Sequence, residues 1–287
     1  MDITVSIVTY NSGPIIGTCL DHLKQSTRRN IQIVVSDNCS QDDTLAVLAN
    51  RPDRTQVINH RQNLGFGHAH NTALAHAPGR YYLILNPDIT LPPGSLDQLA
   101  DHLDQHKECG AVAPLLQEGN GHLSGSTRSY PSQRYVPELL KPLQGEIAAL
   151  QGACLLVRAS TFRKIGGFDP GFFLYAEDLD LSLEIRRQGY ELHCLESIRV
   201  PHLSGHSERF NSTRAVSAKK YLGLLLFFRK HYPRRARGYL IIRDGLKAAF
   251  RLLALMTARS PDRIARREEY RGRLQAMNAY FHGIYRL

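Results

Sequence analysis

Through its first hundred residues the chain alternates short apolar runs with segments of helical periodicity, and this alternation limits the possible fold more than any other feature. Thr4–Val8, Ile31–Ser36, Gln56–Asn59 and Tyr81–Leu85 read as strands, and the stretches 13–26, 41–50 and 67–77 between them read as helices. A helix near 94–106 and a strand near Ala111–Leu115 continue the pattern. Strands joined by helical crossovers pair in parallel, so the expected class is α/β, with a mostly parallel, Rossmann-like sheet flanked by helices. The run Tyr81-Tyr82-Leu83-Ile84-Leu85 shows no polar alternation, which marks a central strand covered on both faces.

The second half is less regular. Residues 117–146 are rich in Gly, Ser and Pro and read as a hairpin or loop over the sheet edge. Leu150–Arg158 then reads as a strand and Ser160–Ile165 as a short helix with Ser160 as its N-cap. Gly166-Gly167-Phe168-Asp169 forms a turn leading to an amphipathic helix with an apolar stripe at Leu179, Leu183 and Ile185. From Ala218 the pattern is helical and basic, with Pro233 and Ser260-Pro261 as breaks, which predicts two or three helices. Residues 1–217 carry 19 Lys/Arg against 22 Asp/Glu, a balance of −3, whereas 218–287 carry 17 against 4, a balance of +13. The expected division is therefore a catalytic domain over 1–217 and a basic amphipathic helical region over 218–287. The apolar and cationic faces of that region suit an anionic membrane surface, and they equally suit packing against the catalytic domain.

At 287 residues with 43% apolar and 22% charged content, the chain is long enough to bury a large core. No run of about 18 apolar residues is present, and the sequence opens directly on the strand at Ile3, so neither a spanning helix nor a signal peptide is expected. The five cysteines are scattered, odd in number and without CxxC or Cys/His zinc spacing, which points to reduced thiols in a cytoplasmic protein.

Two acidic clusters carry the chemistry. Asn86-Pro87-Asp88 follows the buried strand Tyr81–Leu85, and ligands of open α/β sheets bind beyond the carboxyl ends of strands. Glu177, Asp178 and Asp180 crowd the first turn of the later helix, where its N-terminus stabilises negative charge, and His202 follows a short strand further on. Alone, the first cluster would serve as a β-turn and the second as ordinary first-turn acid enrichment; together they resemble a catalytic base with its metal. Polar residues also close the first two strands. Thr9 and Asn11 can contact a base or ribose, and Asp37 can accept from a base N–H. Asn63-Leu64-Gly65-Phe66-Gly67-His68-Ala69-His70-Asn71 places glycines where a helix begins, so its backbone can approach a diphosphate-sugar. Asn11-Ser12-Gly13-Pro14 breaks the GxGxxG pattern and GxxxxGK[ST] is missing, which argues against nicotinamide cofactors and P-loop chemistry.

These residues resemble the inverting glycosyltransferases of family 2, which have the GT-A fold, and within them the bacterial rhamnosyltransferase branch. The matching pieces stand in the family's order over about residues 3–210: Val8-Thr9-Tyr10-Asn11-Ser12, Val35-Ser36-Asp37-Asn38-Cys39-Ser40, Asn63-Leu64-Gly65-Phe66-Gly67, Leu85-Asn86-Pro87-Asp88, Gln151-Gly152-Ala153-Cys154, Gly166-Gly167-Phe168-Asp169 and Glu177-Asp178-Leu179-Asp180-Leu181. The resemblance implies that Asn86-Pro87-Asp88 takes the place of the family's DxD motif, with Asn86 replacing the first Asp. Asp88 would then bind Mn²⁺ or Mg²⁺ on the donor diphosphate, and His202 would be a second ligand. It implies that Asp178 is the general base and that Glu177 orients the acceptor or Asp178. Donor contacts fall to Thr9, Asn11, Asp37, Asn63, Gly65, Asn71, Asn86 and Asp88, and the segment 203–211 is expected to order over bound donor.

The function implied is transfer of a sugar, L-rhamnose from dTDP-β-L-rhamnose, to a polyprenyl-diphosphate-linked acceptor in bacterial surface polysaccharide synthesis. The enzyme would work in the cytoplasm, peripherally on the inner face of the membrane, without a nucleic-acid partner. UDP-hexose and UDP-galactofuranose are the alternative donors. The readings from other classes are a nucleic-acid-binding protein using the basic tail and a non-catalytic scaffold; neither accounts for Asp88, Asp178 and His202.

Overall fold

The computed structural model describes residues 1–51, 55–75, 77–118, 126–203, 211–257 and 259–286. In chain order the elements are β1 (Ile3–Thr9), α1 (Gly13–Gln25), β2 (Ile31–Asp37), α2 (Thr44–Ala49), β3 (Gln56–Asn59), α3 (Phe66–Leu74), β4 (Tyr81–Leu85), α4 (Ser95–Gln105) and β5 (Cys109–Glu118). They continue with β6 (Thr127–Arg128), a 3₁₀ turn at Gln133–Tyr135, α5 (Pro137–Leu140), β7 (Ala149–Leu150), β8 (Cys154–Arg158), α6 (Ala159–Ile165), α7 (Glu177–Arg187) and β9 (Glu191–His202). Three helices follow: α8 (Thr213–His231), α9 (Arg234–Ala254) and α10 (Pro261–Phe281).

A seven-stranded sheet in the order β3-β2-β1-β4-β8-β5-β9 forms the centre. All neighbours pair in parallel except β8, which runs antiparallel to both β4 and β5. The expected mostly parallel sheet is thus present, with one reversed strand. Side chains alternate across a strand, so β4 feeds two cores. Tyr81, Leu83 and Leu85 pack with Ile3, Val5 and Ile7 and with Leu96, Leu99 and Leu103 of α4, whereas Tyr82 and Ile84 pack with Phe162, Phe168, Leu181 and Ile185. The chain leaves β1 toward β2 and β3 on one side and returns to β4 on the other. This reversal opens a crevice at the carboxyl ends of β1 and β4.

Three local expectations change. The strand expected over Leu150–Arg158 is split: Ala149–Leu150 pairs with Thr127–Arg128 in a separate two-stranded sheet, and only Cys154–Arg158 enters the main one. The residues between them, 151–153, leave the ladder to bond the site. The helix at Ala159–Ile165 starts from Arg158 without a side-chain cap, so Ser160 lies inside it. The helix α7, expected to be amphipathic, is buried nearly all round, with Asp180, Ser182 and Arg186 at 2%, 1% and 6% exposure. Its polar positions are bonded inward. Ser182 Oγ accepts from the Leu150 N–H, and the Arg186 guanidinium donates to the carbonyls of Gln144 and Gly145.

The chain forms two compact units whose segments interleave in sequence: 1–130, 143–169 and 178–207 in one, and 131–142, 170–177 and 208–287 in the other. The first holds the sheet. In the second, α8 and α9 meet through Tyr221, whose hydroxyl donates to Asp244 Oδ2 at 3.0 Å, and Tyr232 OH donates to the Pro131 carbonyl. A cavity of about 640 Å³ in this unit is lined by Lys220, Asp244 and Arg273 among apolar residues such as Val216, Leu224 and Phe228. No helix of the described residues is long and apolar enough to cross a membrane.

Candidate active site

Beyond β4 the backbone turns sharply. The Asn86 N–H donates to the Ala153 carbonyl at 2.8 Å, and the Ile89 N–H returns to the Asn86 carbonyl at 3.3 Å, closing a turn around Pro87-Asp88. The turn then docks on the end of β9 through Thr90 N–H to Pro201 O (3.1 Å), Leu203 N–H to Asp88 O (3.2 Å) and an antiparallel bridge between Ile89 and His202. Asp88 Oδ1 therefore faces His202 Nε2 at 3.4 Å, with both side chains at least nine-tenths buried. Asp88 Oδ1 makes no hydrogen bond among the described residues. Burying a carboxylate oxygen in that state costs several kcal/mol unless a cation meets it, of order what an unpaired buried charge costs. Oxygen and imidazole ligands about 2.0–2.1 Å from one ion and roughly at right angles stand about 3 Å apart, so the pair fits two positions on a shared divalent cation.

Asp178 approaches from the start of α7. The Leu179 N–H donates to Asp178 Oδ1 at 2.9 Å, and the Gly152 N–H lies 3.4 Å from Oδ2. Asp178 is half-buried, while Glu177 is 6% exposed. The residues leading into the helix, Tyr175 and Ala176, have φ of 69° and 67°. Consecutive non-glycine residues in the left-handed region cost of order 1–3 kcal/mol each, and such strain concentrates at functional sites. The loop at Gly152-Ala153 serves both carboxylate segments, since Ala153 holds Asn86 and Gly152 faces Asp178. Sequence reasoning used Gln151-Gly152-Ala153-Cys154 only as a family marker, and its bracing role depends on backbone atoms that residue type does not reveal.

The ends of β1 and β2 form a tightly bonded loop pair. Asp37 Oδ1 accepts from Thr9 Oγ1 at 2.7 Å and Ser40 Oγ at 2.6 Å, and Oδ2 accepts from the Ser40 N–H at 2.9 Å. Thr9 and Asp37 are fully buried, and their side chains close this loop pair at the strand ends. Asn11, at φ 52°, receives the Gln41 N–H on Oδ1 and donates its own N–H to Ser40 Oγ. Tyr10, 37% exposed on the same loop, offers a ring face that the sequence reading passed over.

The Asn63–Asn71 segment divides. The Gly65 N–H donates to Asn63 Oδ1 at 2.9 Å, the Gly65 carbonyl accepts from Asn38 Nδ2, and Gly65 has the φ of 87° that favours glycine before α3. Asn63 and Gly65 therefore belong to the β2 loop wall. Asn71 does not join them: its Nδ2 donates to the Phe168 carbonyl at 2.7 Å and its Oδ1 accepts the Phe168 N–H at 2.9 Å. Both ends of its amide hold the Gly166-Gly167-Phe168-Asp169 turn. A Cβ on Gly167, itself at φ 78°, would come within 2.4 Å of Asn71 Oδ1. Residues 204–210, most of the segment expected to order over donor, lie outside the described residues.

A mostly parallel sheet flanked by helices, with one reversed strand and its crevice at a strand reversal, is the fold of the GT-A class of glycosyltransferases. The chain belongs to glycosyl transferase family 2, whose model matches residues 4–166. It is 30% identical over 234 residues to the N-acetylglucosaminyl-diphospho-decaprenol L-rhamnosyltransferase of Mycobacterium tuberculosis, covering 71% of this chain and 76% of that one. It is 25% identical to the rhamnosyltransferase WbbL of Escherichia coli over 71% of this chain and 84% of that one. Among solved structures, the Pyrobaculum calidifontis mannosyltransferase PcManGT, in complex with GDP-Man and Mn²⁺, matches with a TM-score of 0.63 and 19% identity over 97% of this chain and 86% of that one. Staphylococcus aureus TarS matches with a TM-score of 0.57 and 18% identity over 99% and 92%. These structures share the fold.

Proposed function

We propose that the protein transfers L-rhamnose from dTDP-β-L-rhamnose, with inversion, to N-acetylglucosaminyl-diphospho-polyprenol in the assembly of a bacterial cell-surface polysaccharide. The observation that carries the site is the buried Asp88 Oδ1 facing His202 Nε2 at 3.4 Å, beside a loop that also reaches Asp178. The choice of sugar and acceptor is supported by the names of the mycobacterial and Escherichia coli relatives.

In this reading Asp88 and His202 would hold a divalent cation, Mn²⁺ or Mg²⁺, at the donor diphosphate. When bound, the ion offsets charge that develops on the leaving diphosphate. Asp178 accepts the proton of the acceptor hydroxyl as its oxygen attacks the anomeric carbon from the face opposite the diphosphate; that single displacement inverts configuration. The Leu179 and Gly152 N–H groups aim the carboxylate. General-base catalysis of this kind is worth about 10²–10⁴-fold. Glu177 positions the acceptor or Asp178. Asn86 and the loops carrying Asn11, Asn63 and Gly65 shape the donor site, with the Tyr10 ring available to stack on a base.

The helical unit supplies the membrane side of the proposal. Tyr239, Ile242, Leu246, Phe250 and Leu253 form a stripe along α9 at 51%, 64%, 68%, 68% and 67% exposure, with Met256 just beyond it at 68%. Arg243, Lys247 and Arg251 lie on the same helix. An exposed apolar ridge with flanking cations suits the surface of an anionic bilayer. The cavity sets Lys220 and Arg273 beside Asp244 and Glu269 among apolar walls, and the two cations would meet a lipid diphosphate there.

The test is transfer by the purified chain to a short-chain polyprenyl-diphospho-N-acetylglucosamine, from dTDP-, UDP- and GDP-sugars in turn, with Mn²⁺, Mg²⁺ or EDTA. Metal-dependent product from dTDP-rhamnose alone is expected. Product from a UDP-hexose or UDP-galactofuranose instead would move the enzyme to another donor, and no product with any nucleotide-sugar would remove the reading.

A further inference from the structure

At the amino ends of β5 and β9, the end of the sheet opposite Asp88, three imidazoles converge. His102 and His106, one turn apart at the end of α4, stack with centroids 4.2 Å apart and planes at 28°. His193 on β9 meets both rings edge-on, at 5.0 and 5.6 Å. His102 Nε2 and His193 Nδ1 are 2.7 Å apart, and the buried Cys109 Sγ joins them so that all three donor atoms lie within 4.8 Å of one another. We propose that His102, Cys109 and His193 form a second metal site, distinct from Asp88 and His202, that takes Zn²⁺ or a cation of similar softness and ties α4 to the edge strand β9.

The surroundings are organised for this. His193 Nε2 lies 3.2 Å from Glu191 Oε2, so the carboxylate takes the ring's outer N–H and leaves the Nδ1 lone pair facing His102 and Cys109. A carboxylate behind a histidine in this way is a recurrent support for metal ligands. The Arg158 guanidinium donates to the carbonyls of Cys109, Leu103 and His106, which fixes the turn joining the helix to β5. The β5–β9 register slips between Cys109 and Ala111, an irregularity that re-aims side chains and is rare between parallel strands.

Two imidazole nitrogens and a thiolate make a donor set that selects zinc over magnesium or calcium. Without metal, the His102 Nε2–H donates to His193 Nδ1. On binding, that proton is carried on His102 Nδ1, the Cys109 thiol gives up its hydrogen bond to the Ala111 carbonyl (3.1 Å) and its proton passes to solvent, and the two nitrogens and the sulfur each give a lone pair to the ion. Tetrahedral coordination requires the two nitrogens to separate by about 0.6 Å, which side-chain rotation supplies. A water fills the fourth position.

The experiment uses the tag-free full chain, native and Asp88→Ala, dialysed after exposure to Zn²⁺ and analysed for bound metal, with Co²⁺ as the spectroscopic probe. About one Zn²⁺ per chain is expected to remain in Asp88→Ala and to be lost in His102→Gln/His193→Gln. Co²⁺ should give a thiolate charge-transfer band that Cys109→Ser removes, and Zn²⁺ should raise Tm reversibly with chelator. Absence of retained zinc in Asp88→Ala, or retention undiminished by the double substitution, overturns the proposal. Should the double variant fail to fold, the Co²⁺ spectrum of the native chain decides, and a spectrum without the thiolate band overturns it.

Discussion

The two units break the apolar-in, polar-out rule in opposite directions. In the sheet unit, Thr9, Ser36, Asp37, Asn38 and Asp88 are buried at strand ends, whereas α9 of the helical unit carries Ile242, Leu246, Phe250 and Leu253 in the open. Buried polar groups need partners, and at the ends of β1 and β2 they find them in one another, which makes a rigid wall. Asp88 Oδ1 is an exception beside that wall: it has no hydrogen-bond partner among the described residues and faces His202 Nε2 at 3.4 Å, which is why the proposal places a cation there. Exposed apolar side chains singly mean little, but a continuous ridge along one helix face marks a surface that meets another apolar phase. In one unit the departure supports the proposed nucleotide-sugar site; in the other it supports the proposed contact with lipid.

Asp178 gives the sharpest way to break this contrast. Asp178→Asn keeps one side-chain oxygen for the Leu179 N–H, which donates to Oδ1, gives up the longer contact of Oδ2 with the Gly152 N–H and removes the proton acceptor, so kcat should fall about 10²–10⁴-fold. Stabilisation by dTDP with Mn²⁺, followed by thermal unfolding, should persist. Unchanged turnover would move the base elsewhere. Asp88→Ala should do the reverse for binding, abolishing the metal-dependent part of that stabilisation.

The α9 ridge tests the other half. Fully burying one Leu or Phe side chain is worth about 1.5–3 kcal/mol, so Leu246→Glu and Phe250→Glu should each weaken binding to anionic vesicles at least about tenfold. Hydrolysis of water-soluble donor should be unaffected. If the native chain ignores vesicles but dimerises until Leu246→Glu is introduced, the ridge joins two copies of this chain instead.

The sheet was readable because its strands announce themselves: Tyr81–Leu85 is apolar at every position, and the helices between strands have the spacing a crossover needs. The facing of Asp88 and His202 agrees with the pairing drawn from the sequence, where each cluster alone was ambiguous and only the combination pointed to a site. What could not be read was which polar groups are spent internally. Asp37 and Asn71 have the residue types of ligand contacts, and only the structure shows that Asp37 also closes a loop with Thr9 and Ser40 and that Asn71 also clamps Phe168. Nor did the pattern 102, 106, 109 and 193 look like a metal site, because the ligand from β9 is remote in sequence and only strand pairing brings it near.

Asn71 gives a prediction of intermediate size. Asn71→Ala leaves the N–H and carbonyl of Phe168, itself 1% exposed, without their partner. An abandoned buried polar group costs about 1–3 kcal/mol, so the variant should unfold at lower denaturant while its activity per folded molecule stays near that of the native chain. A large loss of donor affinity without loss of stability would return Asn71 to the donor site.

The smallest effect expected over a single pH unit belongs to His70. Its ring is fully buried against Phe66 and Phe168, Nδ1 pairs with Ser6 Oγ at 2.7 Å, and Nε2 has no hydrogen-bond partner among the described residues. Burial lowers its pKa to about 3. The unfolded chain takes up this proton as pH falls below about 6.5, while the folded chain does not until far lower, so the contribution to stability is complete above about 6.5 and declines as the solution becomes acid. The decline is about 1.4 kcal/mol per pH unit from this residue. That is the limiting slope; between pH 6.5 and 5.5, where the unfolded ring goes from about half to about nine-tenths protonated, His70→Gln should remove about 1 kcal/mol of the decline. An unaltered slope would mean that the acid sensitivity of the sheet unit comes from the carboxylates at its strand ends, the same groups that distinguish it from the helical unit.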